Sequence, residues 1–314
     1  MSEIRQGPSG GPAFFCPRRF PPLAFADGGG YFSPVACTIA AGPIRPAASP
    51  LSLHLRPPMP LLEIEPDYAL YYELLPGPPT RPCLVFLHEG LGSVGQWRDF
   101  PQRLCAAAGC PGLVYDRLGH GRSSPLRHPR TIHFMHEYAL CELPRLLAAL
   151  LPERPYLLVG HSDGGSIALI HGAARPPGLI GIITEAAHVV VDDLTLAGIT
   201  AAERAFAAGR LNGLTRYHGD KTESMFTAWS RAWLDPAFRF WSIEYLLPAI
   251  QTPLLVLQGR DDQYGTPAQV ERIVTGAGGA ATPVLLEGCG HSPHLELPEL
   301  TLDHMAAFVT RIAG

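Results

Sequence analysis

The stretch from Leu157 to Ser166 reads LLVGHSDGGS, and it constrains the rest of the chain more than any other. Tyr156 to Val159 form a short apolar run of strand type. Gly160-His161-Ser162-Asp163-Gly164 has the spacing of a G-x-S-x-G elbow, and Ser166 to Ala174 continues with helical character. A serine at the tip of a sharp strand-to-helix turn sits in strained backbone, so the positions two residues to either side must be very small. Gly160 and Gly164 meet that need, and Gly165 relaxes the helix entry. The turn also sets the Ser162 hydroxyl over a helix N-terminus, where backbone N–H groups can stabilise a developing oxyanion. This is an arrangement for nucleophilic attack. In a chain with 33 glycines the motif alone decides nothing; what decides is whether an acid and a histidine follow in the right order.

Apolar strand-like runs alternate with helical segments along most of the chain. Strands are expected at Leu62 to Glu65, Ala69 to Leu74, Cys83 to Leu87 and Gly112 to Tyr115, and, beyond the elbow, at Leu179 to Thr184, Leu254 to Gln258 and Pro283 to Leu286. Helices are expected from Trp97 to Ala108, from about His133 to Leu151 with a kink at Pro144, from Pro267 to Thr275, and from about Pro298 to Ile312. This alternation predicts an α/β fold with a mostly parallel sheet covered by helices on both faces. With 46% hydrophobic residues in 314, there is ample material for its core. Ligands of such sheets bind outside the carboxyl ends of the strands, and the elbow lies at one of those ends.

Two segments break the alternation. Between His188 and Ile250 the sequence turns helical and aromatic, which reads as a cap over residues 188–250 inserted into a core of 59–187 and 251–314. Most of its aromatics are expected to glue cap to core, with a minority, Trp229 and Trp233 the candidates, lining an apolar substrate pocket. Residues 1–58 carry eleven prolines and a Gly28-Gly29-Gly30 run, so they cannot build a core. They have no continuous apolar run of secretory type. Met59 stands where the ordered pattern begins, which makes it a candidate start, and residues 1–58 are expected to be dispensable.

After Leu254 to Gln258 comes Gly259-Arg260-Asp261-Asp262, and after Pro283 to Leu286 comes Gly288-Cys289-Gly290-His291-Ser292. Both loops lie at the sheet edge that carries Ser162, in the order Ser, Asp, His expected for a nucleophile elbow. Ser162 would attack, His291 would take and return the proton, and an aspartate would hold the imidazole in the correct tautomer. Asp261 and Asp262 are both candidates for that acid, and Glu185, Asp192 and Asp193 offer a third place for it after the preceding core strand. The loop His88-Glu89-Gly90-Leu91-Gly92-Ser93 follows the first apolar parallel strand and can present an oxyanion donor, the Glu89 N–H. The other donor would be the Asp163 N–H. The Glu89 side chain is expected to turn into a salt bridge with an arginine such as Arg117 or Arg122. His161 is expected to point away from the cleft, and His294 to lie at the surface.

The motifs HEGLGS, DRLGHGRS, GHSDGG, GRDD and GCGHSPH, in that order from about Met59 to Gly314, resemble the α/β-hydrolase superfamily, close to its small-molecule esterase and biphenyl-hydrolase-like branches. The resemblance places the acid three residues after Gly259, at Asp262. It also implies that an acid directly after the nucleophile, Asp163 here, recognises an amino group of the substrate. The sequence departs from many relatives at Glu89, where they carry glycine or another small residue. The implied activity is cofactor-free and metal-free hydrolysis of a small, largely apolar carboxylic ester or lactone through an acyl-enzyme. Carbon-carbon bond hydrolysis of aromatic ring-cleavage products is the alternative, and a non-catalytic ligand receptor a more distant one. The formal charge of −4 without a long basic run predicts a small-molecule partner rather than nucleic acid or a membrane surface. Seven cysteines without CxxC spacing predict a reducing, cytoplasmic setting with neither a disulfide framework nor a zinc site. Oligomeric state is not legible.

Overall fold

The computed structural model describes residues 60–314, and the expectations for residues 1–58 lie outside the described residues. Eight strands form a single sheet: β1 (Leu61–Glu65), β2 (Tyr68–Leu75), β3 (Cys83–Leu87), β4 (Gly112–Tyr115), β5 (Tyr156–His161), β6 (Leu179–Glu185), β7 (Leu254–Gly259) and β8 (Ala281–Leu286), in the spatial order β1-β2-β4-β3-β5-β6-β7-β8. Pro66-Asp67 turns β1 back on β2. β2 runs antiparallel to both its neighbours, and from β4 to β8 every pairing is parallel.

The helices follow the strands: α1 (Phe100–Ala108) after β3, α2 (Phe134–Glu137) and α3 (Leu143–Leu150) after β4, α4 (Asp163–Ala173) after β5, then α5 (Asp193–Ala207), α6 (Thr215–His218) and α7 (Thr222–Trp233) between β6 and β7, α8 (Ala268–Gly276) after β7, and α9 (Pro293–Glu296) and α10 (Pro298–Ala313) after β8. Side chains alternate across the sheet with the period of two that a pleated strand imposes. Leu84 and Phe86 of β3 pack with Trp97, Leu104, Met305 and Phe308 on one face. Val85 and Leu87 pack with Leu143, Leu146, Ile167 and Ile170 on the other. Both faces are thus apolar and covered, as a parallel sheet requires.

Two helical expectations are corrected by the backbone. The run from Trp97 divides: Val94–Trp97 is a 3₁₀ turn, Arg98 at φ 54° redirects the chain, and α1 begins only at Phe100. In the long helix, α2 and α3 are joined by a π-helical turn, Tyr138–Glu142, which ends two residues before Pro144. Proline cannot donate and its ring crowds the carbonyl four residues back, so the wider turn absorbs the mismatch where a kink was expected. Among the described residues no helix is long and apolar enough to cross a membrane.

The strand order explains where a ligand can sit. From β3 the chain steps outward to β4, then returns past β3 to β5, so the loops leaving β3 and β5 diverge onto opposite faces. The crevice between them is the switch point of the sheet. β3 and β5 are paired in register, with Leu87 opposite Gly160, so the Glu89 loop and the Ser162 elbow leave the sheet side by side.

Candidate active site

Ser162 stands between the end of β5 and the start of α4 with φ 52° and ψ −117°, a strained conformation for a residue with a side chain. Its N–H is anchored on the Glu185 carbonyl of β6 at 2.8 Å. The flanking glycines let three backbone segments meet there: a Cβ on Gly160 would come within 2.3 Å of the Gly164 oxygen, and one on Gly164 within 2.0 Å of the Leu87 oxygen. No side chain fits either gap.

The loops after β7 and β8 bring an acid and a histidine to the same point. Ser162 Oγ donates to His291 Nε2 at 3.0 Å, and His291 Nδ1–H donates to Asp262 Oδ1 at 2.8 Å. Asp262 is locked from behind, since Oδ1 also accepts the Tyr264 N–H at 2.8 Å and Oδ2 accepts Gln258 Nε2 at 3.3 Å. Burial disfavours its charge, but the His291 bond and charge and the Tyr264 N–H prevail and hold the carboxyl below its ordinary range. The other candidate acids are occupied elsewhere. Asp261 is exposed. Glu185 accepts from His294 at 2.9 Å, Asp192 caps α5 through the Thr195 N–H at 2.8 Å, and Asp193 pairs with Arg239 at 2.5 Å.

The two N–H groups expected to serve as oxyanion donors are oriented by the backbone. As the first residue of α4, Asp163 has an N–H without an intrahelical acceptor. On the other side, the buried Arg117 guanidinium donates through Nη1 to the His88 carbonyl and through Nη2 to the Glu89 carbonyl at 2.8 Å. Peptide groups are planar and trans, so carbonyls drawn toward Arg117 turn the N–H groups of Glu89 and Gly90 the opposite way. Among the described residues the Glu89 N–H has no protein acceptor.

A cavity of about 190 Å³ opens over Ser162, walled by Leu91, Ile199, Trp229 and Trp233 and by the polar groups of Glu89, Asp163, His188, Thr195, Gln263 and Tyr264. Trp229 and Trp233 come from α7, and Trp229 Nε1 would lie 2.1 Å from a Cβ placed on Gly90, so this indole packs directly on the loop after β3. Asp163 Oδ1 accepts Trp233 Nε1 at 3.2 Å, while Oδ2 is buried without a partner among the described residues. Burial pushes the Asp163 carboxyl up, opposed by the Arg117 and Arg130 charges.

Residues 84–304 match the profile described as the "Alpha/beta hydrolase family". The chain belongs to the alpha/beta hydrolase family. Among individual proteins, it is 32% identical over 156 residues to the 2-succinyl-6-hydroxy-2,4-cyclohexadiene-1-carboxylate synthase of Enterobacter sp. (strain 638), an alignment covering 49% of this chain and 54% of that one. The chain spans about half the length of the curated relatives it matches. Solved structures superpose over nearly all of the described residues. The enol-lactonase of Burkholderia xenovorans LB400 gives a TM-score of 0.66 at 17% identity, covering 80% of this chain and 100% of that one. VinJ gives 0.60 at 24% identity, covering 81% and 98%. At these identities the likeness shows the fold alone.

Within this hydrolase fold, three side chains lie elsewhere than the sequence led us to expect. Glu89 turns neither to Arg117 nor to Arg122 but to His161, with Oε2 at 3.4 Å from Nδ1. His161 in turn faces the cavity wall instead of leaving it, and Nε2–H donates to the His291 carbonyl at 2.7 Å. His294 is buried against Trp97, with ring centroids 4.6 Å apart. The sequence reading also passed over His188, which lines the cavity. Its Nε2 faces the Tyr264 carbonyl at 3.0 Å, so Nε2 carries the proton and Nδ1, without a partner among the described residues, is left as an acceptor. Burial holds His188 below the ordinary histidine value. The one sequence cue to it was its place three residues past the end of a core strand, at the edge that carries Ser162.

Proposed function

We propose that this protein is a serine hydrolase that cleaves a small carboxylic ester or lactone through an acyl-enzyme. The observation that carries the reading is the unbroken chain of hydrogen bonds Ser162 Oγ to His291 Nε2 at 3.0 Å and His291 Nδ1 to Asp262 at 2.8 Å, on the floor of a small cavity. As Ser162 Oγ attacks the carbonyl carbon, its proton passes to His291 Nε2, and Asp262 stabilises the imidazolium that forms. The carbonyl oxygen becomes an oxyanion facing the Glu89 and Asp163 N–H groups, each such donor being worth about 100- to 1000-fold in rate. His291 then returns the proton to the departing alkoxide. Water, deprotonated by the same Nε2, attacks the acyl-serine and frees the acid.

The walls define the substrate. About 190 Å³ accommodates a small acyl group, with Trp229, Trp233, Leu91 and Ile199 as its apolar surroundings. Two buried acceptors, Asp163 Oδ2 and His188 Nδ1, lack donors among the described residues, and a buried unpaired acceptor is costly until a donor meets it. An amino group on the acyl part would supply that donor. The synthase relative names a carboxylate compound. Such an anion suits this cavity poorly, because its lining carries Glu89 and Asp163 and, among the described residues, no lysine or arginine.

The test is kcat/KM for a matched pair of esters, one with a neutral acyl group and one with an α-amino group, using Ser162→Ala as the blank, together with covalent labelling by a fluorophosphonate. We expect labelling at Ser162 and Ser162-dependent turnover, with preference for the amino ester. Turnover that survives in Ser162→Ala, or no labelling of the intact protein, would defeat the reading.

A further inference from the structure

The pairing of Glu89 with His161 is unexplained by the reaction scheme above. His161 is 1% exposed. Its Nε2 lies 2.7 Å from the His291 carbonyl oxygen, and its Nδ1 lies 3.4 Å from Glu89 Oε2, an ion-pair distance. Glu89 Oε1 accepts Gln96 Nε2 at 3.3 Å, which holds the carboxylate in place. A carbonyl and a carboxylate are both acceptors only. Nε2–H serves the carbonyl, and Nδ1, which makes no hydrogen bond among the described residues, faces the carboxylate at ion-pair distance, a placement that favours a proton on that nitrogen as well.

We propose that His161, as a buried imidazolium paired with Glu89, is a positioning residue that ties the loop bearing the oxyanion donor to the loop bearing His291 and keeps both in register with Ser162. The inference rests on the hydrolase reading. Three loops meet at this one ring: the loop after β3 through the Glu89 side chain, the elbow through His161 itself, and the loop after β8 through the His291 backbone. The groups facing the ring from the elements around it are Glu89, Glu185 at the end of β6, and His291 and His294, with centroids at 5.2 and 5.0 Å, while the Trp97 ring closes the remaining side at 6.2 Å. Glu185 is bonded to His294 at 2.9 Å, which leaves Glu89 as the carboxylate paired directly with His161.

The electrostatics agree with this placement. Burial alone would lower the His161 pKa, but the facing Glu89 carboxylate outweighs it and raises it to about 9. The tie is therefore complete below the ordinary histidine value and is lost as pH rises through about 9. Removing the Glu89 charge leaves burial dominant and moves that loss down into or below the neutral range.

The experiment is an imidazole ¹⁵N titration of the full chain, wild type and Glu89→Gln, with kcat and KM for the ester the wild type hydrolyses followed from pH 6 to 10. We expect a charged His161 in the wild type up to about pH 9. In Glu89→Gln we expect a neutral ring at pH 8 and a kcat at that pH lower by about 10- to 100-fold, as for a displacement of up to about an ångström, with KM changed by less than about threefold. Glu89→Asp, which keeps the charge, should restore most of the wild-type profile, and it also serves if the glutamine variant does not fold. A neutral His161 at pH 7 in the wild type, or a Glu89→Gln profile superposable on that of the wild type, would overturn the proposal. Failure of the hydrolase reading would show separately, as a wild type that is not labelled at Ser162, and the titration would still report the charge of the pair.

Discussion

Gly164→Ala is the sharpest test of why the elbow has its sequence. A Cβ at this position would lie 2.0 Å from the Leu87 oxygen, 2.5 Å from the Leu87 carbon and 2.7 Å from the His88 oxygen, whereas real Cβ contacts are essentially never under 3.0 Å. All three atoms are backbone, so no rotamer change relieves the clash, and the end of β3 and the start of α4 must separate by about 1 Å. Overpacking of a rigid interior costs about 1–3 kcal/mol, and the upper end applies where the wall is backbone. For a domain of this size 3 kcal/mol lowers Tm by about 6–12 °C. The displaced segment leads straight into the Glu89 peptide, so kcat should fall by about 100-fold, an ångström of misplacement at one oxyanion donor, with KM much less affected. Gly172→Ala is the control. On the same helix its Cβ would meet Ile182 Cδ1 at 2.5 Å, the free end of a side chain that can turn away, and the gain in helix propensity of about 1 kcal/mol offsets the repacking. The assays are a thermal melt and kcat for the same ester on equal amounts of folded protein. If Gly164→Ala melts within about 2 °C of the wild type and keeps kcat within about threefold, the close-packing account of the elbow is wrong.

Asp262→Asn should leave the fold intact and cost about 10,000-fold in kcat, because an amide no longer fixes the His291 tautomer, while Asp261→Asn, at an exposed position, stays within about threefold. Steady-state kinetics on the two variants decide between the adjacent acids, and the reverse ranking would move the role to Asp261. Glu142, buried in the π turn, accepts from the Leu118 N–H at 3.1 Å and Tyr68 Oη at 3.2 Å, and burial pushes its carboxyl from 4.5 up to about 7. The folded protein therefore holds a proton there that the unfolded chain has released, so this contribution is complete below about pH 4.5 and is lost as pH rises through about 7. Glu142→Gln should flatten the fall in Tm between pH 5 and 8; a variant that keeps the wild-type slope would show that this carboxyl is not its source.

The fold was legible wherever burial left a run of one kind of residue. Cys83 to Leu87 is wholly buried and wholly apolar, which only a central strand with both faces covered demands. The order of Ser162, Asp262 and His291 was legible for a related reason: short loops at the carboxyl ends of parallel strands project to one edge, so chain order and strand type together predict proximity. Element ends were less clear. β5 runs on to His161, because the glycine and histidine before the elbow still hydrogen-bond in the sheet although neither is a typical strand residue. The divided helix at Arg98 and the π turn before Pro144 were out of reach, since both are local compromises whose cost is met by packing that periodicity does not encode.

What the sequence could not convey is which polar side chain meets which. An acid at Glu89 with arginines near it in the chain invites a salt bridge between them, but the planar trans peptides of the loop after β3 direct its carbonyls at Arg117, and the guanidinium lies on the backbone of the loop while the carboxylate turns away. The carboxylate is left to a partner 72 residues away that β3–β5 pairing brings opposite, with Leu87 level with Gly160. By its position before the nucleophile His161 is expected to point away from the cleft, and the role proposed for it rests on the two acceptor groups that face its two nitrogens in the folded chain. The same logic separates the family from the substrate. The core strands that define the fold also fix Ser162, Asp262 and His291, whereas the cavity is finished by Thr195, Ile199, Trp229 and Trp233 from the insertion between β6 and β7 and by the lone acceptors of Asp163 and His188. On the proposed reading those groups would answer to the donor and the shape of a particular substrate, so that specificity would be set by the unpaired acceptors of the cavity and chemistry by the paired ones.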